Sequence, residues 1–387
     1  MKNLNVIEFS PKDKIILNLI RIEDNVINIV ERFEFEDINY KNGKILKFSP
    51  LKEKLQSELK KFEDLIGQFK NIITIYDKPT IYKKKFILKS KEEKKIRESD
   101  IENMMNLIKE AVHKDKKEII HFFKNEFYLD DKKVSSPVGE KGRNLIGIFT
   151  VCAIEKEKIN LLNSLFDKKD SLIGLFLSPL ILVNGIKDSF SKNFIIEIEK
   201  RFTYAILGYD NIPYHIEYFD VGVRDVLRDL SYVLEIPPRD TEEIVYKKGA
   251  LDSKIFIDPD YPISIEKKVA SMRIYEILEM IEKKIKRLSF KFYPEEILLC
   301  GEGAKIKNIK EFTKDYFNLP VSIAESIDYK SELKLDNIDI IPVIGAVRSI
   351  FEEKEKSSFF SKFFKIFEKI FEWGGKNGQC LWSMAGS

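Results

Sequence analysis

Apolar and polar positions near the start of the chain come in short runs broken by turns. The pattern predicts strands at Val6–Phe9, Lys14–Ile20 and Val26–Phe33, a helix from about Leu51 to Ile66, and a strand at Ile72–Tyr76. A Lys-rich stretch from Lys83 to Lys95 follows. Ser99 then reads as the N-cap of a helix Asp100–Val112, with Glu102 as its capping-box partner. Strands are expected at Glu118–Leu129 and Gly147–Ala153, on either side of the turn-rich SSPVGEKGRN, and helices and loops lead on to Asn193. From Phe194 the strand-turn-strand pattern of the N-terminus recurs, each copy opening with a strand that ends in an acidic residue, Glu8 or Glu197. A long amphipathic helix, Ile263–Leu288, carries apolar residues at Val269, Met272, Ile277, Ile281, Ile285 and Leu288. It precedes a strand, Ile297–Cys300, that runs into Gly301-Glu302-Gly303-Ala304.

The most strongly patterned stretch is Phe359–Trp373. At about 100° per residue, Phe359, Phe360, Phe363, Phe364, Ile366, Phe367, Ile370, Phe371 and Trp373 fall on one arc, and Lys362, Lys365 and Lys369 lie on the other with Ser361, Glu368 and Glu372. Six of these fifteen positions are Phe, a poorer helix former than Leu, Ala or Met, so rings were favoured over propensity. Burial of one Phe is worth roughly 1.5–3 kcal/mol, so even half-burial of the set in a headgroup boundary exceeds what one acyl chain supplies. The charged EEKEKSS before it, Glu352–Ser358, reads as a tether. Packing on the body of the protein or on a partner remains the alternative to membrane contact. Residues 374–387 lack periodicity and are set aside as an unassigned tail.

Composition narrows the class. The 387 residues exceed one ordinary core, so two or more domains are expected. With 66 basic and 63 acidic residues the net charge is only +3, which gives no nucleic-acid footprint. Cys152, Cys300 and Cys380 have no metal-site or disulfide spacing, no signal peptide is visible, and no apolar run is long enough to span a bilayer, so a cytoplasmic protein with at most peripheral membrane contact is expected. His113, His121 and His215 stand alone and no Ser/His/Asp set is readable, so no catalytic residue is assigned.

Three stretches carry a family resemblance. Glu118–Asp131 followed by Pro137-Val-Gly-Glu-Lys-Gly-Arg-Asn-Leu resembles the inserted 1C subdomain of the bacterial cell-division family FtsA, which belongs to the actin-like proteins. Ile297-Leu-Leu-Cys-Gly-Glu-Gly-Ala is similar to the adenosine motif of that family, and Ile341-Pro-Val-Ile-Gly-Ala to its second connecting helix. The resemblance implies an α/β, actin-like (ribonuclease H-like) two-lobed fold with an inserted 1C (SHS2) subdomain and a C-terminal amphipathic helix. The expected division is 1–79, 155–190 and 341–356 for subdomain 1A, 80–154 for 1C, and 191–340 for the second lobe, with 2B at about 224–289. The membrane-targeting helix is 357–373.

By the same resemblance, ATP with Mg²⁺ would lie between the lobes. The positions that answer to the family's nucleotide site are Glu8, Glu197, Lys200, Arg201, Gly222, Asp229, Glu242, Gly301, Gly303 and Gly345. The two glycine turns that would cradle phosphate are missing. Glu8-Phe-Ser-Pro-Lys-Asp stands in the first, where Pro11 lacks an N–H, and Glu197-Ile-Glu-Lys-Arg-Phe-Thr-Tyr in the second. Lys200 and Arg201 either replace the backbone donors or form a surface turn beside a degenerate cleft. The function expected is a division adaptor on the cytoplasmic face of the membrane. It would bind the C-terminal tail of FtsZ through 2B, where Lys247, Lys248, Lys267, Lys268 and Lys283 are candidate contacts. It would also bind inner-membrane lipids through its last helix, with self-association into filaments and contacts to other division proteins as further expectations. A PilM-like pilus-assembly protein and an active ATPase or kinase of the same superfold are the alternatives.

Overall fold

The computed structural model describes residues 2–41, 43–166, 171–187, 192–209, 212–258, 261–287 and 294–356. The helix expected at 357–373, with its membrane-facing Phe, Ile, Trp and Lys residues, lies outside these, as do the tail at 374–387 and Leu288.

Two lobes are built to one plan. In lobe I, β1 (Lys2–Phe9), β2 (Lys14–Glu23) and β3 (Val26–Glu36) form an antiparallel meander. The short hairpin β4 (Tyr40–Lys41) and β5 (Lys44–Ile45) leads to α1 (Phe48–Ile66), and β6 (Lys70–Ile75) then pairs parallel to β1. In lobe II, β12 (Lys192–Ile198), β13 (Thr203–Tyr209) and β14 (Ile212–Phe219) repeat the meander, and β15 (Glu296–Cys300) takes the place of β6 beside β12. Each sheet gains a further parallel strand on that side, β11 (Leu172–Leu177) or β16 (Val321–Ile323), and β17 (Lys330–Ser331) closes the far edge of lobe I. The central strands are buried on both faces, as Val6, Ile7, Ile195 and Ile196 all show, because each sheet is covered on both sides, by helices or by the other lobe.

The insertion leaves lobe I after β6. Its antiparallel sheet, ordered β7-β10-β8-β9, consists of β7 (Thr80–Lys95), β8 (Lys117–Leu129), β9 (Lys132–Val134) and β10 (Lys141–Glu155). α2 (Glu98–Lys114) buries Ile101, Met104, Met105, Ile108 and Val112 against Phe127, Phe149 and Val151 of that sheet. α2 starts earlier than its sequence suggests. Ser99 sits inside the first turn, and the Asp100 carboxylate rather than Glu102 accepts the Arg97 N–H, at 2.9 Å, because it lies three residues after the N-cap.

α3 (Lys156–Asn163) and α4 (Ser178–Gly185) complete lobe I with α9 (Asn337–Lys356). The chain re-enters lobe I well before residue 341: β17 pairs with β3, and α9 begins at Asn337 and buries Ile340 beside Leu4 and Val6. The boundary expected at 340/341 therefore moves back toward Ile327. Glycine makes the α4–α9 crossing close: a Cβ on Gly185 would meet the Ile341 carbonyl oxygen at 2.2 Å, and one on Gly345 that of Ile181 at 2.2 Å. The two passages between lobes are stitched together there, with Lys187 N–H donating to Glu325 O and Ile327 N–H to Gly185 O, both at 2.8 Å.

Lobe II carries its helices on one face. α5 (Val223–Leu234) packs on α7 (Ile265–Lys286), and α6 (Pro238–Glu243) runs into a single π turn, Ile244–Gly249, before α8 (Ile309–Phe317) follows β15. The buried stripe of α7 is Ala270, Ile274, Ile277, Leu278 and Ile281. Met272, expected on that face, is exposed, because the stripe is set by small and branched residues that let α5 approach. The opposite face of the lobe II sheet shares one apolar core with lobe I, where Tyr204, Ile206 and Leu298 join Leu180, Leu182 and Ile7.

Candidate functional site

The two duplicated hairpins face one another, and the cleft between them is the candidate site. It holds a cavity of about 190 Å³ lined by Glu8, Glu34, Glu197, Glu199 and Asp339, with Lys12, Lys14 and Arg32 as its cations. Lys14 and Arg32 both reach Glu34, at 3.3 and 3.5 Å, so Lys12 is left opposite four carboxyl groups. Lys12 projects from the turn after β1 to Glu302 of lobe II at 2.6 Å and to Asp339 of α9 at 3.7 Å. Burial opposes its charge, but Asp339 and Glu302 together hold the ammonium above its usual range.

The carboxyls respond in the opposite sense. Burial pushes Glu8 up to about 7, with Arg32 pulling the other way, and it pushes Glu199 up to about 8 against the pull of Lys12. Glu197 is raised well above the carboxylate range by burial and by Glu199, although Tyr76 donates its hydroxyl to Glu197 Oε1 at 3.3 Å. One oxygen each of Glu8 and Glu197 is buried without a hydrogen-bond partner. Two neutral or shared-proton carboxyls suit such a site better than two free anions.

A magnesium triphosphate does not match this lining. Phosphate cradles are built from free backbone N–H groups, and several of those in and around both turns are already spent. In the first turn Ser10 N–H donates to Lys14 O at 2.9 Å and Lys12 N–H to Ser10 Oγ at 3.2 Å, while Pro11 has no N–H. In the second, Glu199 N–H donates to Phe202 O at 2.8 Å. The N-terminal N–H groups of α5 are also taken, Val223 by Glu199 O at 3.0 Å and Arg224 by Lys200 O at 2.8 Å. The remaining groups are mostly carboxyls, which repel a polyphosphate, and among the described residues no group of three or more His, Cys, Asp or Glu forms a metal-holding cluster.

Comparison with known proteins identifies the insertion first. Residues 78–152 match the family described as the SHS2 domain inserted in FtsA. Over 301 residues the chain is 24% identical to the cell division protein FtsA of Borreliella burgdorferi, covering 72% of this chain and 71% of that one. The chain is FtsA-like. Solved structures agree on the actin-like fold. A chain of a PilM-PilN type IV pilus biogenesis complex superposes with a TM-score of 0.60 at 10% identity, covering 89% of this chain and 97% of that chain. MreB5 of Spiroplasma citri bound to ADP superposes with a TM-score of 0.50 at 9% identity, over 92% and 99%.

In this FtsA-like chain, the cleft brings together three of the ten positions expected at the nucleotide site: Glu8, Glu197 and Gly301. The others lie elsewhere. Lys200 and Arg201 are absent from the cavity wall, where Glu199 stands in the second turn, and Arg201 is half-buried with its Nε shut away from solvent. Gly222 is the N-cap of α5, where a Cβ would meet Glu199 O at 2.2 Å. Gly303 packs on Ile198, Gly345 sits in the α4–α9 crossing, and Glu242 is exposed on α6. Asp229 is held by Arg273 of α7, Nε to Oδ2 at 2.6 Å, and so joins two helices of lobe II.

The residues that dominate the cleft, Lys12, Tyr76, Glu199, Glu302 and Asp339, were not singled out as site residues by sequence. The available signal was a lysine in the first turn paired with an acidic residue between two glycines of the second lobe. None of the three histidines lines the cleft. His121 is partly buried at the root of the insertion, accepts the Leu177 N–H on Nε2 at 2.9 Å and stacks on Phe123, and desolvation lowers its pKa to about 3. Among the described residues no helix is long and apolar enough to cross a membrane.

Proposed function

We propose that this actin-like division protein is an adaptor that ties the FtsZ ring to the cytoplasmic membrane, and that its cleft binds nucleotide weakly or not at all. The observation that carries the reading is the FtsA-type SHS2 domain spliced into lobe I between β6 and α3, together with the FtsA relative that spans most of the chain. The helical face of lobe II, α5 to α7, is the region assigned to the FtsZ tail. On α7, Ile265 and Met272 lie two turns apart and are exposed, an apolar strip that a short peptide would cover. The lysines there are partly spoken for, Lys267 by Asp252 at 3.8 Å and Lys283 by Glu279 at 2.8 Å, so apolar contact leads the assignment and charge follows. The Phe-rich stretch 359–373 is assigned to lipid.

Two measurements test the reading. In a pull-down, the full chain should retain the C-terminal tail peptide of the host's FtsZ, and Ile265→Asp with Met272→Asp should release it. In sedimentation with anionic vesicles, the full chain should pellet and a chain ending at Lys356 should stay in the supernatant. Failure to retain the tail would favour the pilus-assembly reading, to which the PilM-PilN superposition adds a common fold and nothing more. Calorimetry with ATP and Mg²⁺ tests the cleft, and micromolar binding would overturn that part.

A further inference from the structure

The groups that fill the cleft do more than exclude a phosphate, because most of them bridge the lobes. Lys12 of lobe I reaches Glu302 of lobe II at 2.6 Å, and Lys305 of lobe II reaches back to Asp336 and Asp339 at the start of α9, at 2.7 and 2.9 Å. With Lys12 also 3.7 Å from Asp339, the five residues make one chain of alternating charge, Glu302, Lys12, Asp339, Lys305 and Asp336, that crosses the cleft three times. Deeper in, an aromatic seam runs between the lobes. The rings of Tyr76 and Phe202 lie 5.5 Å apart, Tyr76 donates to Glu197, Tyr204 donates its hydroxyl to the Asp77 carbonyl, and Lys78 stands 5.7 Å over the Tyr218 ring.

We propose that these two sets of contacts are a latch: the chain's own side chains close the lobes on each other, in the place where the actin-like fold would use a nucleotide. The inference rests on the reading that the cleft does without nucleotide, and it adds what does the closing instead. The two parts of the latch differ in kind. The aromatic seam supplies area and is continuous with the apolar core around Leu180 and Leu182, whereas the ion chain lies nearer solvent and supplies direction, since only one lobe position pairs every charge. Opening the cleft would strand Lys12 beside Asp339 alone and Lys305 without either of its partners. The stitched passages at Lys187–Glu325 and Gly185–Ile327 are the natural pivot, being where the chain crosses between lobes.

Hydrogen exchange on the full chain tests this. The readout is the peptides covering residues 8–16 and 196–205, with those covering 100–112 and 145–153 of the inserted domain as an internal standard of folding. In the wild type the cleft peptides should exchange slowly, and millimolar ATP with Mg²⁺ should leave them unchanged. Lys12→Ala with Lys305→Ala should speed their exchange by about tenfold while the inserted domain stays protected, and Lys12→Arg with Lys305→Arg should restore the slow rate. Wild-type rates in the alanine double variant would overturn the latch and leave the nucleotide reading standing. Cleft peptides that are fast in the wild type and slow only once ATP and Mg²⁺ are added would overturn both.

Discussion

The turn between β1 and β2 and the turn between β12 and β13 occupy equivalent places in duplicated hairpins, yet they send unlike groups into the same cleft, an ammonium from one and a carboxyl from the other. The first is tight and carries a proline, and it extends one lysine outward across the gap to Glu302. The second keeps its two cations, Lys200 and Arg201, off the cavity wall and turns Glu199 inward, where it is almost wholly buried. A duplicated strand plan therefore fixes where a turn lies and leaves its chemistry free. Here the two turns have become complementary to each other, as partners across an interface do, rather than to a shared anion.

The comparison breaks most severely if the charge of Lys12 is reversed. Lys12→Glu places another carboxylate among Glu8, Glu199, Glu302 and Asp339, and urea unfolding should show a loss of about 2–4 kcal/mol. Next comes the support of the second turn. Gly222→Ala drives a methyl into the Glu199 carbonyl, a backbone contact that cannot rotate away, and should cost about 1–3 kcal/mol while disturbing the β12–β13 turn in preference to the β1–β2 turn.

A subtler change sharpens the contrast through pH. The Glu199 carboxyl is raised from 4.5 to about 8 by burial, with Glu302, Asp339 and Glu8 adding to the effect and Lys12 opposing it. The native state thus keeps a proton that the unfolded chain has lost, so the stability from this group is present below about pH 4.5 and disappears as pH rises toward 8. Glu199→Gln should flatten thermal stability across that window and leave the variant the more stable protein at pH 8.5, by about 1 kcal/mol. His121 has the opposite sign. Its proton is bound only in the unfolded state between about pH 6.5 and 3, so the loss of stability on acidification should survive in the Gln variant. Smallest of all, Lys200→Ala removes a side chain that does not line the cavity and should change stability by less than about 0.5 kcal/mol and leave the pH profile alone.

The sequence made the strands of both hairpins readable because each is a short apolar run bounded by turn residues, and Glu8 and Glu197 stood out as the acidic ends of β1 and β12. The rest was hidden for stated reasons. β7 alternates lysine with apolar residues at an edge, so its charge masks a strand. α4 is apolar all round and only eight residues long, so it has no amphipathic period to detect. Glycine positions such as Gly222, Gly303 and Gly345 read as ligand contacts from their motifs, yet each is where another backbone or side chain comes close. A glycine reports that something approaches, without saying what. Lys12 was invisible for a different cause: its partners Glu302 and Asp339 lie about three hundred residues downstream, and no local pattern joins them.

The outer strand of the inserted domain has a consequence for assembly. Along β7, Lys83, Lys85, Lys89 and Lys91 share an exposed face with Ile87, and the strand has a sheet neighbour on one side only. Two copies meeting edge to edge would set ammonium against ammonium along many ångströms of otherwise willing backbone. Sheet continuation from one molecule into the next is thereby discouraged at this edge, and whatever order the chain adopts with its own kind has to be built from other surfaces.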